Sequence, residues 1–166
     1  VLGRGHYLAL AREHAKRLFG IKDDAALAAF VEELKNSAEM KKSGRALDIG
    51  GAWDPLHRIM TDGELDPGGG DFPGNHVVLG GKQLHHGSDF SAILIRPDIV
   101  AFVSEAINEL KQPEVREKFQ NLPSSYTKPR GDKEFIELWL AISQLRTFFD
   151  AAAENLEAVV FTVKYQ

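Results

Sequence analysis

Residues Ala46–Gly63, ALDIGGAWDPLHRIMTDG, gather a glycine pair, a tryptophan, carboxylates and a histidine beside apolar positions that must be buried. Asp54 followed by Pro55 predicts a helix start, since the carboxylate can accept from free backbone N–H groups and proline at the first helical position loses no needed donor. If the helix runs to about Met60, then Leu56, Ile59 and Met60 form its apolar side, because offsets of three and four share a face. His57 follows Trp53 by four residues and Asp54 by three, so all three gather at the N-terminal end. Gly50 and Gly51 let the incoming chain turn tightly. Two readings follow. In one, Trp53 anchors the core, Asp54 caps and His57 is a hydrogen-bonded residue at the core edge. In the other, Asp54 and His57 face a pocket.

Outward from this stretch the pattern is one of helices around a few strands. Upstream, residues 5–10 form a candidate strand around Tyr7. A short helix ends at Gly20, and a second, capped by Asp23 or Asp24, runs to about Asn36 with Leu27, Phe30, Val31 and Leu34 on one face. The polar SAEMKKSGR segment reads as a loop. Downstream, residues 62–75 are the loop-richest part of the chain, with Asp-Gly, Asp-Pro, three successive glycines and Phe-Pro-Gly. Ordering so many glycines costs much backbone entropy, so the tip either moves or is held by something, with Phe72 as a candidate anchor. Its glycines are not a nucleotide signature. Neither this loop nor Gly80-Gly81-Lys82 has the Gly-Lys-Ser/Thr ending of a phosphate-binding loop.

Residues 90–95, FSAILI, predict a strand, and Pro97 starts a helix to about Leu110. A shorter helix opens near Pro113, and LPSSYTKPRG is irregular. The clearest helix runs from Asp132 to Glu154, where Phe135, Leu138, Trp139, Ile142, Leu145, Phe148, Phe149 and Ala152 make a continuous apolar face. Residues 158–163 are a last strand, which needs partners for its backbone and cover for its side chains. Strands near Tyr7, Ile93 and Phe161 are too few for a doubly wound sheet. The expectation is an α+β fold: a small mixed sheet packed against several helices, with the long amphipathic C-terminal helix followed by the final strand.

Composition narrows the function classes. A chain of 166 residues fits one domain, 1–166, large enough for a hydrophobic core without staples. Twenty basic residues against 24 acidic ones leave no general phosphate-binding face, so nucleic acid is not an expected partner. With no cysteine there are no disulfides, thiolate nucleophiles or cysteine-based metal centres, a composition compatible with a reducing cytosol. No stretch approaches the length of a membrane span and no secretory signal is visible, although a chain beginning with Val1 can lack a few residues.

The order of several parts resembles a known family, the bacterial YfbM-like proteins. These parts are the tyrosine-bearing N-terminal strand feeding a helix, Leu47-Asp48-Ile49 followed by Trp53, Leu56, His57 and Thr61, the Val78-Leu79-Gly80-Gly81 run, the proline-started helix at Pro97, and the closing aromatic helix and strand. The resemblance implies a compact α+β domain of bacterial, cytoplasmic origin, and it implies no reaction. It places a candidate site at Asp48, Trp53, Asp54 and His57, with Gly80 and Gly81 across from them. The 62–75 stretch is longer and richer in glycine than the family pattern.

As an enzyme, the chain would pair His57 with Asp48 or Asp54 for proton transfer, with Gly80 or Gly81 N–H groups stabilising an anionic oxygen. No nucleophile stands out, because Ser88 and Ser91 lack an elbow motif. For a metal, His57, His76, His85 and His86 with Asp66, Asp71 or Asp89 follow no usual ligand spacing, and no metal or cofactor is expected. A non-catalytic accessory or binding protein asks for less. Asp48, Trp53, Asp54, His57, Gly80 and Gly81 would line a concavity for a small ligand or a protein partner.

Overall fold

The computed structural model of the chain describes residues 3–165. Five strands form one sheet: β1 (Gly5–Leu10), β2 (Ala46–Gly50), β3 (Lys82–Gln83), β4 (Phe90–Ile95) and β5 (Ala158–Lys164), in the order β2-β1-β5-β4-β3. Every neighbouring pair is antiparallel, so the small sheet is antiparallel throughout rather than mixed. The registers give the reason. Leu8 pairs with Ala46 and Ile95 with Val159, so each long helical excursion leaves the sheet and returns to it at the same end.

Helices cover both faces. Tyr7, Ala9, Ile93, Ile95, Val159, Phe161 and Val163 point into a core shared with α4 (Trp53–Met60), α5 (Pro97–Asn108), α6 (Gln112–Gln120) and α7 (Asp132–Glu154). The alternate residues Leu8, Leu10, Ala92, Leu94 and Val160 pack against α1 (Arg12–Phe19), α2 (Asp24–Asn36) and α3 (Ala38–Lys42). Side chains alternate across a strand, so a sheet buried on both faces reads as unbroken apolar sequence. That is why AVVFTVK and GHYLAL show little alternation. Thr162 is the buried polar exception in β5, and its hydroxyl donates to the Ser91 carbonyl at 2.9 Å.

The long helix occupies Asp132–Glu154 as its apolar period predicts, with Gly131 at its N-cap. The SAEMKKSGR segment is not simply a loop: Ser37 caps the short helix α3 by accepting from the Met40 N–H at 3.2 Å, and strand β2 follows. Helix α4 begins two residues early, with Ala52 at the N-cap, so Asp54 lies inside the first turn and does not cap. Every residue from Trp53 to Ile59 is buried, polar ones included. A helix buried all round must find internal partners for each polar side chain.

Candidate functional site

Those partners are found. The Trp53 indole N–H donates to the Gly3 carbonyl at 2.8 Å. His57 is fully buried, with Nε2 2.8 Å from the Asp66 carbonyl oxygen, while the Leu79 N–H donates to Nδ1 at 3.4 Å. A carbonyl can only accept and an N–H can only donate, so this ring is the neutral tautomer protonated on Nε2. Burial pushes its pKa below the ordinary value, against smaller upward pulls from the Asp66 carbonyl and nearby carboxylates. Asp54 accepts from Arg58 Nε at 2.7 Å, and Arg58 Nη1 reaches the Gly63 carbonyl and Ser125 Oγ at 3.2 and 2.9 Å. The Tyr7 hydroxyl completes the set by donating to the Val77 carbonyl at 2.7 Å.

Apart from the Asp54–Arg58 bond, which lies within α4, each bond ties α4 or β1 to a segment outside the helices and strands. Together they hold the glycine-rich 62–75 segment and the Val77–Gly81 turn against the core. The loop lies close on α4: Gly70, at φ +75°, leaves no room for a Cβ, which would stand 2.8 Å from Thr61, and a Cβ on Gly74 would stand 2.9 Å from the Met60 carbonyl. Gly69 is buried and Gly70 lies close on Thr61, while Gly68 is exposed, and glycine is what allows the close approach.

This geometry corrects the proton-transfer pair. His57 hydrogen-bonds to neither Asp48 nor Asp54; its two nitrogens are occupied by Asp66 and Leu79, and Asp54 belongs to Arg58. The Gly80 N–H donates to the Asn75 carbonyl at 2.8 Å and is not free for an oxyanion, and Gly81 lies against the Leu94 carbonyl. Trp53, Asp54, His57 and the turn before Gly80 do converge, but within packed side chains. Asp48 stands apart from them.

Asp48 opens instead onto a groove of about 510 Å³. One wall is the end of β2 and its turn, Asp48 to Ala52; the other is α7, through Glu134, Glu137, Leu138, Leu140, Ala141 and Gln144, and Tyr126 and Lys128 close one end. The floor is free of side chains at Gly50 and Gly51. Gly50 adopts φ +58°, and the Arg4 guanidinium lies 3.2 Å from where its Cβ would stand. Lys128 Nζ lies 3.8 Å from the equivalent point on Gly51. Arg4 Nε donates to Asp48 Oδ2 at 3.0 Å and the Gly50 N–H donates to Oδ1 at 2.8 Å. Partial burial works to raise the Asp48 pKa, but these hydrogen bonds, with the nearby His6 and Arg4 charges, outweigh it and leave the carboxyl below its usual range. The groove therefore presents the Arg4–Asp48 ion pair and Lys128 beside a glycine floor, and the carboxylates of Glu134 and Glu137 on the α7 wall. Arg4, Tyr126, Lys128, Glu134 and Glu137 escaped the sequence reading, because no spacing rule links residues that the fold brings together from opposite ends of the chain.

A second polar cluster lies on the other side of the sheet. The His85 ring is stacked on Phe90 with centroids 3.8 Å apart, with Nε2 2.6 Å from Asp89 Oδ1 and Nδ1 3.2 Å from Asp24 Oδ1. The Asp89 hydrogen bond is the main cause of its raised pKa, with Asp24 adding to it. Two carboxylates and one imidazole do not make a metal site here: among the described residues no group of three or more His, Cys, Asp or Glu side chains is arranged to hold an ion. Among the same residues no helix is long and apolar enough to cross a membrane.

The family model described as a domain of unknown function (DUF1877) matches residues 3–162, and the chain belongs to that family. The fold is similar to the crystal structure of YfbM from Escherichia coli, a protein of unknown function, with a TM-score of 0.67 at 17% identity over 96% of this chain and 99% of that one. The expected likeness to YfbM-like proteins therefore holds for family and architecture. No curated protein matches the chain.

Proposed function

We propose that this member of the DUF1877 family is a non-catalytic accessory or binding protein, taking a ligand or a partner segment into the groove between the end of β2 and α7. The observation that supports this reading most is the groove itself: about 510 Å³ with a bare Gly50–Gly51 floor, Lys128 beside that floor, and Glu134 and Glu137 on the α7 wall. Charges of both signs held apart across a concavity suit a ligand that carries both signs, because each end is then matched and the wrong orientation is repelled. Asp48 fixes Arg4 at the floor. Trp53, Asp54 and His57 serve this site from beneath by holding α4 and the adjoining loops. A cytoplasmic place of action suits a chain without cysteine.

The test is a set of ¹⁵N–¹H correlation spectra titrated with free amino acids and dipeptides. Shifts concentrated on Gly50, Gly51, Lys128 and Gln144, and lost in Lys128→Ala, are the expected result. Shifts that are absent, scattered or unchanged in Lys128→Ala contradict the reading.

A further inference from the structure

The edge of β2 narrows what the groove holds. β2 is the outer strand of the sheet on the groove side, with β1 as its single neighbour. In an antiparallel pair the hydrogen-bonded and non-bonded positions alternate. The Ala9 N–H donates to the Arg45 carbonyl at 2.8 Å, and Tyr7 is paired with Leu47 in the next bonded position. The N–H and C=O groups of Ala46 and Asp48 therefore point away from β1. Among the described residues none of these four groups finds a hydrogen-bond partner on that side. Two donors and two acceptors thus repeat at the two-residue spacing of a strand ladder, beside a groove whose far wall offers the apolar side chain of Leu140, with Leu138 and Ala141 buried behind it in the core. Leu140 is 57% exposed, on a helix whose inner face is core.

We infer that the occupant of this groove is an extended peptide segment of a partner protein, which adds to the free edge of β2 as a sixth strand. The inference rests on the groove being the binding site. Main-chain pairing with Ala46 and Asp48 supplies the ladder bonds, and alternate side chains of the segment enter the groove toward α7. Charge decides its character. An acidic group on the segment sits at the Gly50–Gly51 end near Lys128, and a basic side chain faces Glu134 and Glu137. A compact small molecule can meet the charges but leaves the edge unpaired. A strand meets both, and it also covers the kind of open edge that sheets otherwise blunt.

The probe is a random heptapeptide display library selected on the full chain, with recovered peptides resynthesised with a fluorescent label and measured by anisotropy. Ala46→Pro removes the outward N–H while leaving the bonds to β1 in place, a substitution that an edge strand tolerates. The expected result is selected peptides bearing both charge signs, whose binding weakens about tenfold or more in Ala46→Pro. Amide hydrogen exchange of the unsubstituted chain gives the same answer should that variant not fold: the peptide is expected to slow exchange at Ala46 and Asp48 about tenfold or more. Peptides that bind equally well to Ala46→Pro and leave those amides unprotected overturn strand addition while the groove remains a binding site. Failure to select any peptide overturns the inference, and the amino-acid titration then judges the groove separately. Self-association of the chain that is lost in Ala46→Pro overturns it in favour of a second copy.

Discussion

Helix α4 and the groove beside β2 are adjoining regions built from the same residue types, and they use them in opposite ways. In α4 a tryptophan, a histidine, an aspartate and an arginine are all buried, and each polar atom described above is spent on a partner within the fold. In the groove Lys128 and Glu137 are exposed and Glu134 is half-buried, and none of them is in an ion pair among the described residues. The lesson is that a cluster of chemically capable residues identifies a site only when some of that capability is left over. A buried polar group with its partners in place stabilises the fold, and it becomes costly only when a partner is removed.

The contrast can be broken first at its strongest point. Asp54→Ala leaves the Arg58 guanidinium, 7% exposed, without its close carboxylate and with only Glu64 at 3.9 Å, and urea unfolding is expected to show a loss of about 3 kcal/mol. His57→Ala orphans the Asp66 carbonyl and the Leu79 N–H and leaves a cavity, at an expected cost of roughly 2–4 kcal/mol in the same measurement. Tyr7→Phe removes only the bond to the Val77 carbonyl and is expected to cost about 1–2 kcal/mol.

Two histidines sharpen the contrast through pH. The folded-state pKa of His57 is lowered, so its contribution to stability is present above the unfolded value near 6.5 and is lost as the pH falls through the folded value. That of His85 is raised, so its contribution is present below 6.5 and is lost as the pH rises through the folded value. Unfolding curves of His57→Ala and His85→Ala against pH should therefore diverge from the unsubstituted chain in opposite directions. Parallel curves contradict both assignments. The smallest expected effect on stability is at the groove, where Lys128→Ala and Glu137→Gln should stay within about 0.5 kcal/mol while ligand-induced shifts are lost.

The sequence carried the fold further than the site. The aromatic stripe of α7 gave both ends of that helix, because a continuous apolar period over many turns has no other cheap solution. Strand β2 was hidden, since Ala46–Gly50 is a short edge with one half-exposed face and no β-branched run. The motif around His57 was legible as a cluster but not as a buried one, because what seals it arrives from Asp66 and Leu79 in the glycine-rich loop and the turn beyond it. Of the candidate site only Asp48 opens onto the groove. The facing wall comes from residues more than eighty positions downstream, and nothing in the local pattern at Lys128 or Glu137 points back to Gly50.

The most direct test of this division is the ring of His57, read by long-range ¹⁵N–¹H spectroscopy across about pH 7.5 to 5.5. The structure predicts one tautomer, protonated on Nε2 with Nδ1 bare, and a folded chain in which the ring protonates only below the ordinary histidine value. A ring that titrates near 6.5, or that exchanges between tautomers, would place His57 at a surface and return α4 to the list of candidate sites.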